Sequence, residues 1–131
     1  MRTTAFNHLD DAFLNIERAE DPWSVHLEVQ VSGHIDERRL RAALAATLTL
    51  HPMARARLQP YSETATTYQW EIADSWDHHF LDVVDAASTA DLVAARERLI
   101  SIKIPITVAP GFYTTLVHHA DGDWLMLSVN H

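Results

Sequence analysis

The chain has 131 residues, 47% of them hydrophobic and 21% charged, which is enough apolar material for one globular domain and too much for intrinsic disorder. A net charge of −8 with one lysine, Lys103, argues against a nucleic-acid partner and against adhesion to an anionic membrane, since both need clustered cations. There is no run of about 18 apolar residues, the Met1-Arg2-Thr3-Thr4 start lacks a secretory pattern, and cysteine is absent, so membrane spans, export, disulfides and thiolate chemistry are not expected. These features predict a cytoplasmic protein, with peripheral contact to membrane or lipid left open through an apolar patch.

Asn7 is placed to cap a first helix, with Asp10 at its third position and Asp11 following near the positive end of the dipole. Leu9, Phe13 and Ile16 recur at helical spacing, which predicts one buried face and an end near Arg18. After Pro22, the alternation of Trp23, Val25, Leu27, Val29 and Val31 predicts a half-buried strand. Ser32-Gly33-His34 then turns the chain, and Asp36 caps a second helix whose inward stripe is expected to be Leu40, Ala43, Leu44, Thr47 and Leu48. His51-Pro52 ends it. Arg38, Arg39 and Arg41 belong on its solvated face.

Short strands are predicted over 53–58 and 66–72, with an extended segment over 80–84. Ser88 caps a third helix running to Ile100, with Asp91 in its first turn and Leu92, Ala95 and Leu99 facing the core. A loop bounded by Pro105 and Pro110 leads to strands over 112–118 and 124–130, joined by Ala120-Asp121-Gly122-Asp123, whose Asp-Gly pair signals a hairpin. Helices alternating with strands in this way predict a single domain over 1–131, an α/β two-layer sandwich with a mixed sheet and helices on one face. Trp23 and Trp124 are expected in the core.

Three stretches carry a family resemblance. The first is Leu9-Asp10-Asp11-Ala12-Phe13-Leu14. The second combines Ser32-Gly33-His34-Ile35-Asp36, Leu40-Arg41-Ala42-Ala43-Leu44 and His51-Pro52-Met53-Ala54-Arg55-Ala56-Arg57-Leu58. The third is the terminal run Trp124 to His131. In order and spacing they resemble the chloramphenicol-acetyltransferase-like superfamily of CoA-dependent acyltransferases, which includes wax ester synthases, polyketide-associated acyltransferases and condensation domains. Members carry a His-His-x-x-x-Asp-Gly signature just after such a strand.

The resemblance aligns Asn130 with the first signature His and His131 with the second, the catalytic one. It implies that His131 is a general base taking a proton from an alcohol or amine that attacks a thioester carbonyl, a task suited to imidazole near neutral pH. Asn130 then has a structural part, and Arg55 pairs with the signature Asp. The same resemblance implies that the chain is an incomplete N-terminal lobe of a two-lobed enzyme. Its expected partner is the remaining polypeptide, carrying x-x-x-Asp-Gly and the second lobe. Acyl-CoA or an acyl-carrier thioester is the implied donor, with no tightly bound cofactor.

Asn130 in the first His position keeps a second reading open, a non-catalytic acyltransferase-like module that binds or supports a partner chain. His118-His119-Ala120-Asp121-Gly122 imitates the signature but is two residues short between His and Asp, so a turn explains it better. His78-His79 lacks a third ligand in sequence, and no metal site is expected.

Overall fold

The computed structural model describes residues 2–18, 23–76 and 79–130. Pro22, His78 and His131 lie outside them. Strand β1 (Arg2–Ala5) is a polar segment with no strand signature in sequence. It is held by its ladder, pairing antiparallel with β4 (Gln69–Ile72) in a register that sets Arg2 opposite Ile72 and Ala5 opposite Gln69.

Helix α1 (His8–Ile16) starts as expected, with Asn7 accepting from the amides of Leu9 and Asp10 while Asp10 accepts from the Asn7 amide. Its expected buried face is not closed. Leu9 and Ile16 are 66% and 50% exposed, and Phe13 and Leu14 are the helix's half-buried apolar residues. Phe13 packs against the ring of Trp23 at 5.4 Å, so the inward direction is set by that aromatic contact. Trp23 is itself 40% exposed, which corrects its expected place in the core.

Strand β2 (Ser24–Gln30) forms where alternation predicts it but is not half-buried: Val25, Leu27 and Val29 are all at least 44% exposed. The reason is its position at the edge of a four-stranded sheet of order β2-β7-β6-β5. Glu28 lies opposite Met126 on the face that a later helix covers, which leaves the three aliphatics on the other, open face.

Helix α2 (Glu37–Leu50) is capped by Asp36, which accepts from the Arg39 amide. Leu40 and Leu44 are half-buried and Leu48 is fully buried. Ala43 and Thr47 are exposed, so the inward stripe is a single i, i+4 row narrower than predicted. Arg41 pairs with Glu37 on the solvated side.

The strand predicted over 53–58 is shorter. Pro52–Arg55 form a 3-10 turn, and β3 covers Ala56–Leu58. Pro52 fixes its own φ at the first helical position and donates no amide, and none of Met53, Ala54 and Arg55 is β-branched, so nothing local resists the turn. Strands β1, β4 and β3 make a separate three-stranded sheet, braced by Arg57, which grips the buried Glu71 carboxylate through Nε and Nη2 at 3.1 and 2.6 Å.

Strand β5 (Leu81–Ala86) runs parallel to β6 (Phe112–His119), which requires a crossover, and α3 (Thr89–Ser101) supplies it. Ser88 and Asp91 form the capping box, and Leu92, Ala95 and Leu99 are buried as predicted. They pack with Ala86, Val117 and Met126, flanked by Tyr113 and Trp124. Arg96 of the same helix holds Glu28 at 2.6 and 3.0 Å and lies 5.6 Å from the centroid of the Trp124 ring. Strand β7 (Trp124–Asn130) completes the hairpin with β6, and Gly122 turns it at φ +117. The predicted mixed α/β sheet is therefore present, with the small sheet beside it.

Candidate functional site

The far end of β7 opens on a cleft of about 420 Å³. Its walls come from the start of α1 (Asn7, Asp10), the 3-10 turn (Met53, Ala54), Trp70 of β4, and Phe112, Val129 and Asn130 of the large sheet. A smaller hollow of about 30 Å³ continues beneath α1 and shares Asp10, Trp70, Ile106 and Asn130 with it. Asp10 serves two ends here. Its Oδ2 accepts from the Asn7 amide at 2.9 Å and from the Trp70 indole N–H at 3.1 Å, so the helix cap also fixes an aromatic wall of the cleft.

Gly111 joins the two parts of the chain that matter most. Its amide donates to the Ala54 carbonyl at 3.1 Å, and its carbonyl accepts from the Asn130 amide at 2.9 Å. The 3-10 turn carrying Arg55 and the last residue of β7 are thereby bound to opposite sides of one residue. Arg55 donates from Nη1 to the Ala73 carbonyl at 3.0 Å, while its Nε is buried and lacks a hydrogen-bond partner among the described residues. Burying a guanidinium N–H without an acceptor is costly. Of the residues singled out from sequence, Asn130 lines the cleft and is tied through Gly111 to Ala54, the neighbour of Arg55, while the Arg55 side chain turns to Ala73 and His131 lies outside the described residues. Gly111 was not legible as a site residue, because only the folded chain brings it there.

His118 and His119 lie at the other end of the large sheet. The length of β7 separates them from Asn130 by about 20 Å. The expected hairpin is there, but its Asp123 does more than end a turn. The carboxylate is fully buried. Oδ1 accepts from His34 Nδ1 at 2.9 Å and the His119 amide at 3.3 Å, and Oδ2 from the Ile35 amide and His118 Nδ1, both at 2.7 Å. Burial alone pushes this carboxyl upward. The bonds from His34, the Ile35 amide, His118 and the His119 amide outweigh it and hold the group at about 2.

His79, expected to lack metal partners, pairs instead with Asp82 at 2.7 Å, and Tyr113 donates to the same carboxylate at 2.8 Å. Burial, the hydrogen bond to Asp82 and its negative charge push the Tyr113 phenol up to about 12.

No family model matches the sequence. An uncharacterized protein of Mycobacterium tuberculosis is 34% identical over 130 residues, which is 99% of this chain and 29% of that protein. The nonribosomal peptide synthetase 4 of Gibberella zeae is 32% identical over 95 residues, covering 68% of this chain and 1% of that one. The chain therefore spans less than a third of the length of these relatives. Among solved structures, the epimerization domain from the third module of tyrocidine synthetase B superposes over 98% of this chain and 30% of its own, with a TM-score of 0.82 at 19% identity. The starter condensation domain of rhizomide synthetase superposes over the whole chain and 34% of its own, with a TM-score of 0.73 at 18% identity.

The chain has the fold of a condensation-domain lobe. In that fold the mixed sheet and its α3 crossover form the frame, and the cleft at Asn130 opens where β7 ends. None of the described helices is long and apolar enough to cross a membrane.

Proposed function

We propose that this chain is the N-terminal segment of an enzyme that transfers an acyl group from a thioester, acyl-CoA or carrier-bound, to an alcohol or amine. His131 is the general base. It accepts the proton of the attacking hydroxyl or amine as the new bond to the acyl carbon forms and the thiolate leaves. Asn130 holds the strand end in place through Gly111, and Arg55 pairs with the carboxylate that the resembled signature places after its two histidines. The observation that carries this reading is the buried, unpartnered Nε of Arg55 next to the turn that walls the cleft. It calls for an acceptor such as the carboxylate that the resembled signature places after its two histidines. The condensation and epimerization domains that share the fold support a thioester-directed activity.

The test uses the full-length protein with a long-chain acyl-CoA or an acyl-pantetheine thioester as donor and a long-chain alcohol or amine as acceptor. Release of free thiol is followed with a thiol reagent. His131→Ala is expected to lower turnover by about 10²–10⁴-fold without loss of folding. Arg55→Ala is expected to lower both turnover and the thermal midpoint. Full activity in the His131 variant would end the catalytic assignment. Asn130 in the first signature position favours the second reading, a module that binds without chemistry. Ligand binding by the full-length protein with no turnover of any donor would establish that one instead.

A further inference from the structure

His34 sits in the loop after β2, His118 near the end of β6, and Asp123 just beyond the hairpin turn, yet their side chains converge. Each imidazole aims its Nδ1 at a different oxygen of one carboxylate, His34 at Oδ1 (2.9 Å) and His118 at Oδ2 (2.7 Å), and the rings lie 6.4 Å apart at 66°. The ligating atoms of all three residues fall within 4.8 Å of one another.

We infer that His34, His118 and Asp123 form a site for one divalent transition-metal ion of the zinc type. The donor set is two imidazoles and a carboxylate, which suits zinc and its neighbours. Calcium and magnesium prefer all-oxygen shells, and soft ions prefer the thiolates this chain lacks. The carboxylate is aimed before any ion arrives. The Ile35 and His119 amides hold its two oxygens independently of the histidines, as outer-shell donors do in metal sites.

Ligand atoms around a tetrahedral ion with bonds of about 2.0–2.2 Å stand roughly 3.4 Å apart, so the N···O contacts of 2.9 and 2.7 Å must open by about 0.5 and about 0.7 Å. His34 is free to do this, because its side chain is 71% exposed while Asp123 is fully buried. The proton balance is simple. Each neutral imidazole gives up its Nδ1 proton in favour of Nε2, and the ion takes the place of the two protons that now lie between nitrogen and oxygen. The exposed side of His34 leaves room for a water ligand. The site is about 20 Å from Asn130, so its role is to clamp the β2–α2 loop onto the hairpin and not to act on the cleft's substrate.

The test uses untagged full-length protein, stripped with a chelator and titrated with Zn²⁺ by calorimetry, with Co²⁺ absorption as a second readout of ligand geometry. Wild type is expected to bind one Zn²⁺ per chain at this site and to gain thermal stability on binding. His34→Ala and His118→Ala should each weaken that binding by about 100-fold or more and abolish the stabilisation. His26→Ala, an exposed histidine of β2, should change neither. Folding of the His34 variant is checked by circular dichroism without metal, where retention of the Ile35 and His119 amide bonds predicts a wild-type spectrum. Absence of stoichiometric binding, or Zn²⁺ binding and stabilisation unchanged in both variants, would overturn the site and leave Asp123 as a hydrogen-bonded knot alone.

Discussion

Replacing Asp123 tests whether a single carboxylate holds the β2–α2 loop on the sheet. In Asp123→Ala the Ile35 and His119 amides lose their side-chain acceptor, at about 1–2 kcal/mol each for partly buried donors. The imidazoles of His34 and His118 are 71% and 29% exposed and find water at smaller cost. The expected loss is about 3 kcal/mol, a large share of an ordinary domain's stability. Asp123→Asn keeps the shape but can accept on only one side, and should lose about 1–3 kcal/mol.

The same carboxylate supplies a pH signature. Its folded pKa of about 2 lies below the unfolded value of about 3.9, so its contribution is complete above roughly pH 5 and disappears as pH falls from there towards 2. That contribution is on the order of 2–3 kcal/mol. Urea denaturation of the metal-free wild type and the Asn variant, at steps between pH 7 and pH 2, is the measurement. The two stabilities should converge as pH falls through that window. Equal stability at pH 7, or a gap that stays constant down to pH 2, would refute the argument.

Two glycines in the same region predict opposite outcomes. A Cβ on Gly122 would lie 2.0 Å from the Val31 carbonyl oxygen at a φ of +117, so Gly122→Ala should cost at least about 2 kcal/mol in thermal or urea melts. Gly33→Ala meets nothing within 4 Å and should stay within about 0.5 kcal/mol of wild type. In the core, Leu99→Ala removes a side chain that is 3% exposed and should cost about 2–4 kcal/mol, whereas Leu9→Ala, at 66% exposed, should cost under about 0.5 kcal/mol by the same melts.

What could be read from sequence followed the range of the interaction. Helix α3 was legible in full because its cap, its stripe and its sheet partners lie within a contiguous stretch of chain. The β6–β7 hairpin was legible for the same reason, through Asp121-Gly122. The starts of α1 and α2 were written locally in Asn7 and Asp36, but their inward faces were not, since those depend on what lies across from them. Strand β1 carries no pattern of its own and exists through β4.

The site divides likewise. Asn130 and Arg55 were reached by resemblance, and the Gly111 bridge from Ala54 to Asn130 has no sequence signal. Asp123 was passed over as part of a turn because His34 and Ile35, two of its partners, are 89 and 88 residues away. A signal was available in hindsight: an Asp directly after an Asp-Gly turn, with histidines both in the turn's own strand and in a distant Gly-His loop.

The pairing of β2 with β7 also sets an order on synthesis. Val25 meets Val129, so an aliphatic strand leaves the ribosome and waits for about 100 residues before its partner exists. At about 5–20 residues per second, that is roughly 5–20 s of exposure. Over this interval Val25, Leu27 and Val29 form an unpaired, apolar template for any other nascent strand. Glu28 and its neighbours His26 and Gln30 interrupt the run at every second position, and they are what keeps the waiting segment in solution until β7 arrives.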